Sequence, residues 1–391
     1  MRRRSFLKGA GVVTVAVVGG GVWRAWDQGV FSTGEGPAYE PWRDWRGAKD
    51  SPLALVSAAI LAASPHNTQP WLFKVSDSAI ELLIDTGRNV GALDPYLREE
   101  HIGMGCALEN LLLAAPANGY TAKATLLPGK LGPIPAEPLP QLLARVELAP
   151  GKREEDELYN AIPLRHTNRG GYDPHKPLPS GFVEALTQLP PDPNVRLFLF
   201  TDEADRKMIT GVSSAANKEI YSDPEVQAGS NRWVRLKWSE VQRHRDGLTI
   251  DAFGLPPVAS AIVKMMNEQM LAWLGSHSEA GNYSGLMMSA PLIGFIAVRD
   301  RYDEQQCLLA GRTWQRAHLF ATAKGIAGRP CNEAVEMVDH EKALGRPASR
   351  IAMLNEITGD PSWQPTFIFY VGYPKITAHA SPRRPVPSVL L

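Results

Sequence analysis

The chain is poor in cysteine, in net charge and in long apolar runs, and each shortage removes a class of protein. Its three cysteines, Cys106, Cys307 and Cys331, are odd in number and far apart, which makes neither a disulfide framework nor a zinc spacing. Lysine plus arginine and aspartate plus glutamate both count 41, so the formal charge is zero. Without a long basic run the chain lacks the electrostatic footprint of nucleic-acid binding. The apolar stretch Gly9–Val22 falls short of the ~20 residues a membrane-spanning helix needs. There is no P-loop, no Gly-x-Ser-x-Gly and no His-Glu-x-x-His, so three common catalytic frames are missing. Gly103-Met104-Gly105-Cys106-Ala107-Leu108 mimics the start of a dinucleotide fingerprint, but it lacks the third glycine and follows no clear strand. Helix packing explains it better.

What is present suits a large folded body. At 44% hydrophobic and 21% charged, 391 residues can bury an ample core, and length alone suggests two or three domains. The N-terminus carries Arg3-Arg4-Ser5-Phe6-Leu7-Lys8 ahead of the apolar, glycine-rich run. This resembles a twin-arginine export signal, with residues 1–30 as signal and lead-in. The expectation is export by the twin-arginine translocase to the periplasm or cell envelope, with membrane contact only through this segment. No Ala-x-Ala cleavage site precedes Trp23, so an uncleaved, envelope-attached form stays open.

Local patterns then divide the chain. Ser51 as N-cap and Pro52 at the first helical position predict a helix from Pro52 to Ala63. Trp71–Val75 and Ile80–Ile84 have strand character, and Glu99–Asn118 reads as a long helix closed by Gly119. A proline-rich link runs from Pro128 to Pro140. Gly105–Tyr120 aligns with Gly311–Ile326 at one fixed offset, matching Gly105 with Gly311, Leu113 with Leu319, Ala115 with Ala321, Ala117 with Ala323 and Gly119 with Gly325. Two helices of one design are expected; a chance likeness of Ala/Leu-rich helices is the alternative. A mostly helical segment at about 202–289 precedes the strand Leu292–Val298. A last strand, Phe367–Val371, precedes a Pro/Arg tail.

Between the first helix and strand stands Ser64-Pro65-His66-Asn67-Thr68-Gln69-Pro70-Trp71. Pro65 and Pro70 fix φ and remove two backbone donors, while Asn67 and Gln69 offer amides suited to a flat, amide-like ligand. A plain rigid turn is the blander reading. Three further stretches carry chemistry: Arg165-His166-Thr167-Asn168-Arg169, Gly325–Ala334 with Pro330-Cys331-Asn332 at its centre, and Ser381-Pro382-Arg383-Arg384-Pro385.

In this order the stretches resemble the FMN-dependent nitroreductase family, in particular its long Acg-like branch, over about residues 50 to 390. The resemblance implies an α+β, nitroreductase-like fold: two fused halves forming a pseudo-dimer, 31–140 and 141–391, each with a mainly antiparallel sheet packed by helices. It implies FMN as cofactor and Ser64, His66, Asn67 and Gln69 as one wall of its site. Arg165 and Thr167 would hold the phosphate, where guanidinium and hydroxyl groups make charge-assisted bonds, and His166 between them would serve the cofactor site as a hydrogen-bonding support. Arg169 would lie toward the N1/O2 edge, where a cation stabilises reduced flavin. Pro330, Cys331 and Asn332 would form a loop offering a backbone N–H to flavin N5, although Asn332 and Glu333 replace the family's Glu and Gly. Arg383 and Arg384 would reach the phosphate from the tail.

The activity implied is hydride transfer from NAD(P)H through flavin N5 to nitro compounds or quinones, with no side-chain nucleophile and no catalytic triad. The alternative is an FMN-sequestering or storage protein with little turnover. In that case Trp233, Trp238, His244, Arg245 and the Gly247–Pro257 loop could form a lid, or the insertion could be simple packing. The loop motif occurs only in the first half and the arginine motifs only in the second, so one flavin per chain is expected, in a single cleft lined by Asn67 and Arg165.

Overall fold

The computed structural model describes residues 22–220, 222–266 and 283–391; the twin-arginine motif lies outside them. Ser51 accepts a hydrogen bond from Leu53 N and starts α1 (Pro52–Ala59), which ends four residues before the expected Ala63. Two antiparallel sheets follow. The first contains β1 (Trp71–Val75), β2 (Ala79–Asp85), β3 (Tyr120–Leu126) and β4 (Pro140–Pro150), in the order β1-β2-β4-β3. Helix α2 (Arg98–Ala117) connects β2 to β3.

The second sheet repeats this plan. It contains β5 (Val195–Phe200), β8 (Leu292–Val298), β9 (Ala327–Pro330) and β10 (Gln364–Gly372), in the order β5-β8-β10-β9, and α7 (Glu304–Ala323) connects β8 to β9. The expected architecture of two α+β halves is therefore present, each with an antiparallel sheet and a long helix between its second and third strands. The division at 140/141 needs correction, because β4 pairs with both β2 and β3. Its alternating burial makes it a strand of the first sheet's core face, and the first half runs to Pro150.

The matched helices pack on each other. Gly105 and Gly311 meet where α2 crosses α7: a Cβ on Gly105 would collide with the Leu308 carbonyl, and one on Gly311 with the Ile102 carbonyl. Ile102 and Leu308 are themselves separated by the repeat offset, so the contact is isologous within one chain. One core lies around these helices, the first sheet and one face of the second sheet. A second lies on the other face of the second sheet. Buried ion pairs also join the halves, Arg98 Nε to Asp339 (2.6 Å) and Arg312 Nε to Glu109 (2.7 Å).

Where β1 and β2 are joined by the turn Ser76–Ser78, β5 and β8 are separated by the insertion. Among its described residues are α3 (Glu203–Ile220), α4 (Pro224–Asn231), β6 (Val234–Arg235), α5 (Trp238–His244), β7 (Leu248–Thr249) and α6 (Pro257–Met265). It folds back over the first half: Trp233 Nε1 donates to the Asn89 carbonyl at 2.8 Å, and Arg88 pairs with Asp246 at 2.6 Å. The C-terminal tail makes the same crossing. Phe73 N donates to the Val389 carbonyl (2.8 Å) and Leu391 N to the Phe73 carbonyl (2.9 Å), which lengthens the first sheet past β1.

Candidate functional site

The loop after α1 is wound tightly. His66, Asn67 and Gln69 have φ of 44°, 58° and 52°, left-handed values that cost of order 1–3 kcal/mol at non-glycine residues. Tertiary bonds hold them there. Asn67 Nδ2 donates to the carbonyls of Gly247 (3.1 Å) and Pro382 (2.9 Å), and its Oδ1 accepts from Arg383. Gln69 Nε2 donates to the Arg245 carbonyl (2.8 Å), while its Oε1 accepts from Arg384 N (2.8 Å). Both amides thus clasp the insertion and the tail. His66 Nε2 lies 2.7 Å from Ser230 Oγ, and Ser64 Oγ accepts from Gln69 N at 3.1 Å.

Beside this loop is a small polar cavity of about 20 Å³, lined by Trp42, Ala63, Ser64, Asn67, Arg165, His166, Thr167, Arg169, Ser381 and Arg383. Ser64, Asn67, Arg165, His166, Thr167, Arg169 and Arg383 are all residues expected at the cofactor. They come from both halves and from the tail. Trp42, Ala63 and Ser381 were not singled out from sequence as ligands; Trp42 is apolar lead-in with no motif around it, and its ring lies 4.6 Å from the Arg383 guanidinium.

The cavity's electrostatics are one-sided. Arg165 and Arg383 are each 2% exposed. Arg165 Nη2 donates to the Leu61 carbonyl (3.2 Å) and Arg383 Nη2 to the Ala62 carbonyl (3.0 Å), so both guanidiniums lean on carbonyls just past the C-terminal end of α1. Arg165 Nε and Nη1, Arg383 Nε and His166 Nδ1 have no hydrogen-bond partner. Burial pushes Arg165 down to about 10. Burial and then Arg165 push Arg383 well below the usual arginine value. Arg169 falls to about 10 through burial and then Arg329. His166 is held down to about 3 by burial, then by Arg165, Arg383 and His379. No carboxylate is among the groups acting on these four, and guanidiniums stay protonated at neutral pH. Buried donors aimed at one small space without an acid are complementary to an anion.

The other expected residues stand outside the cavity lining. Gly325–Ala334 is not an open loop. Residues 327–330 form β9 on β10, while Asn168 N donates to the Gly328 carbonyl (3.1 Å) on the other side. Pro330 is in that ladder, Cys331 N donates to the Ile368 carbonyl (2.8 Å), and Asn332 Oδ1 accepts from Ile368 N (2.9 Å). Cys331 N is therefore already engaged, and Pro330 has no N–H to offer. Cys331 is buried against Tyr283 and Met287 as a small core residue. Gln69 and Arg384 support the wall without lining it. Arg329, missed from sequence, sits near Arg169; an arginine inside a strand carried no signal of its own.

Part of the insertion crosses this region as a strap. Arg169 Nη1 donates to the Ala252 carbonyl (3.3 Å), and Gly247 N donates to the Asn67 carbonyl (3.1 Å). Arg245 and Gly247 of the expected lid therefore touch the loop, whereas Trp238 packs on Gly29 and His244 is exposed.

No family model matches the sequence. Two proteins of Mycobacterium tuberculosis H37Rv that carry provisional NAD(P)H nitroreductase names are similar to part of it. One is 32% identical over 137 residues, 34% of this chain and 37% of the relative; the other, called acg, is 34% identical over 117 residues, 29% and 33%. The chain thus spans little more than a third of the length of these relatives. Among solved structures, the FMN-dependent nitroreductase NfnB of Mycobacterium smegmatis in complex with NADPH is 15% identical, with 59% of this chain and 96% of that one covered and a TM-score of 0.35. Iodotyrosine deiodinase bound to FMN and 3-iodo-L-tyrosine is 15% identical, with 58% and 95% covered and a TM-score of 0.35. At those scores the structural likeness carries no argument; it is the stretches of sequence identity that relate the chain to proteins named as nitroreductases.

Proposed function

We propose that the chain is an FMN-binding flavoprotein of nitroreductase type, taking one flavin per polypeptide in the cleft between its halves. The observation that carries this reading is the set of buried guanidiniums, Arg165 and Arg383 with unpartnered nitrogen atoms and Arg169 beside them, facing one cavity with no acid in its lining. A phosphate monoester supplies the missing charge and acceptors. The relatives that match in sequence carry nitroreductase names, which points to FMN among phosphate-bearing cofactors.

In this reading Arg165, Arg383 and Thr167 hold the phosphate, and Ser64 adds a hydroxyl. Arg169 would lie toward the electron-rich edge of the ring, where a cation would favour reduction. Asn67 and Gln69 act as positioning residues, since their amides already fix Arg383, Arg384 and the strap. FMN, when bound, supplies two-electron chemistry at N5, with NAD(P)H as donor and a nitro compound or quinone as acceptor. The protein's own contribution is binding, orientation and exclusion of water.

A second reading, FMN storage with little turnover, has the strap in its favour. The cavity of about 20 Å³ holds about one water, so a flavin ring needs its surroundings to open, and the strap bonds two of the lining residues, Asn67 and Arg169. The test separates the two readings. Purified protein should show two flavin absorbance bands and release FMN, not FAD, on denaturation. Bleaching by NADPH or NADH at rates matching photoreduction supports the enzyme; photoreduction alone supports storage. Colourless protein that takes up no added FMN ends both.

A further inference from the structure

Outside the cavity lining, the described chain begins with an apolar surface. Val22, Trp23, Trp26 and Phe31 are 60%, 69%, 78% and 68% exposed, and Val258 and Ile262 of α6 are 74% and 54% exposed. These six residues come from two segments that are tied together. Arg24 Nη2 donates to the Met265 carbonyl (3.2 Å), and Lys264 Nζ donates to the Gly29 carbonyl (3.1 Å) and to Thr33 Oγ1 (3.0 Å).

Helix α6 is inverted relative to an ordinary surface helix. Ser260 and Lys264, four apart, face inward, and Lys264 pairs with Asp251 at 2.8 Å. Val258 and Ile262, also four apart, face outward. A helix on a water-facing surface places its apolar stripe inside; this one places it outside, where water is the wrong solvent.

We propose that residues 22–31 and the outer face of α6 form a membrane-docking face that seats on a lipid bilayer surface. Three observations select a bilayer over a protein partner. Trp23 and Trp26 supply amphipathic rings of the kind enriched at the membrane interface, and Phe31 adds apolar area. In sequence the patch follows directly on the apolar run Gly9–Val22 and the basic Arg2, Arg3, Arg4 and Lys8. Six side chains are also far fewer than the ~20–30 residues a side of a stable protein interface. The nearby charges are compatible with an interfacial depth: Arg24 is engaged with α6, Asp27 stays exposed, and Lys264 and Asp251 neutralise each other. Docking would reach the strap as well, because Asp251, which accepts from Ser260 Oγ (3.2 Å) and Thr33 Oγ1 (3.1 Å), precedes the Ala252 whose carbonyl holds Arg169.

The test uses the full chain and vesicles of phosphatidylcholine and phosphatidylglycerol. Wild-type protein should co-sediment, and Trp23→Ser/Trp26→Ser and Val258→Ser/Ile262→Ser should each weaken partitioning by about tenfold with unchanged thermal unfolding. Should a serine variant misfold, brominated acyl chains give a second measurement. They should quench wild-type tryptophan fluorescence, and the quenching should be largely lost in Trp23→Phe/Trp26→Phe. Equal partitioning of all variants, with quenching retained in the phenylalanine variant, would show that residues 1–21 anchor the chain alone and would overturn the proposal. A concentration-dependent dimer that the serine variants abolish, with no vesicle binding by wild type, would overturn it in favour of a second copy.

Discussion

The two halves share strand order and a connecting helix, yet they differ in the hairpin between their first two strands. In the first half that hairpin is the turn Ser76–Ser78; in the second it has grown into an insertion that bends back over the first half and touches Asn67. Sheet and helix repeat because both halves need the same core. The loops have no such constraint, and the site residues have separated accordingly, with the wound loop in one half and the arginines in the other. A symmetric scaffold therefore carries an asymmetric site.

The largest expected effect tests the symmetry itself. Gly105→Val and Gly311→Val each place side-chain carbon against the opposing helix backbone, and both should abolish soluble folded protein. The milder Gly→Ala changes should lower stability by about 1–3 kcal/mol or more, by similar amounts at the two positions, in denaturant unfolding. Tolerance at one position only would break the symmetry argument.

Next comes the asymmetry. Arg165→Ala should weaken FMN binding by about 1.5–3 kcal/mol, the scale of one charge-assisted contact, and should affect the whole flavin population. Asn67→Ala should do likewise by releasing Arg383. Arg165→Met should leave the flavin-free protein as stable or more stable, because it removes a buried charge without a carboxylate partner. Titration of FMN absorbance together with thermal unfolding checks both signs. Two flavins per polypeptide, or loss of half the flavin in either variant, would sink the single-site reading.

A smaller effect follows from protonation. Burial, and then Arg169, hold His66 down to about 4, below its ordinary value of 6.5. The unfolded chain thus binds more protons between those values, so the His66 contribution is present above about pH 6.5 and lost as pH falls through about 4. Asp94 in the first half's buried acid group is lifted to about 7, mainly by burial, and works in the opposite sense, losing stability as pH rises. The comparison of wild type with His66→Gln isolates the histidine. The stability difference should shift by about 1–2 kcal/mol between neutral and acid pH, allowing for screening of a half-buried ring. Parallel curves would show that His66 is solvated.

The smallest effect lies at the helix starts. Asp303 caps α7 by accepting from Gln306 N, while α2 starts on Leu97 and takes its carboxylate from Asp94, which accepts from Glu99 N (2.9 Å) and Glu100 N (3.1 Å). Asp303→Ala should cost about 1 kcal/mol in denaturant unfolding.

Much of this was legible in the residues. The Ser51 cap, the strand-forming composition of Trp71–Val75 and the repeat of Gly105 in Gly311 are local or periodic signals, and they located α1, β1 and the two long helices. The cavity-lining residues were legible because Asn67, Arg165 and Arg383 stand in compact motifs. The state of 327–330 was not, since a short stretch with Gly328 and Pro330 has loop composition, and only the neighbouring β10 and residues 167–168 make it a strand. The role of the amides was equally hidden. Asn67 and Gln69 look like ligand groups in sequence, but their partners are carbonyls some 180 and 315 positions away and the Arg383 and Arg384 donors of the tail.

Sequence by itself determined the elements, the internal repeat and which residue types could meet an anion, because propensity, capping and periodicity act over a few residues. Only the tertiary structure decided that three separate arginine positions share one cavity, that the insertion crosses it, and that α6 turns its apolar face outward. Those outcomes depend on desolvation and on contacts between distant segments, and neither is encoded at any single position of the chain.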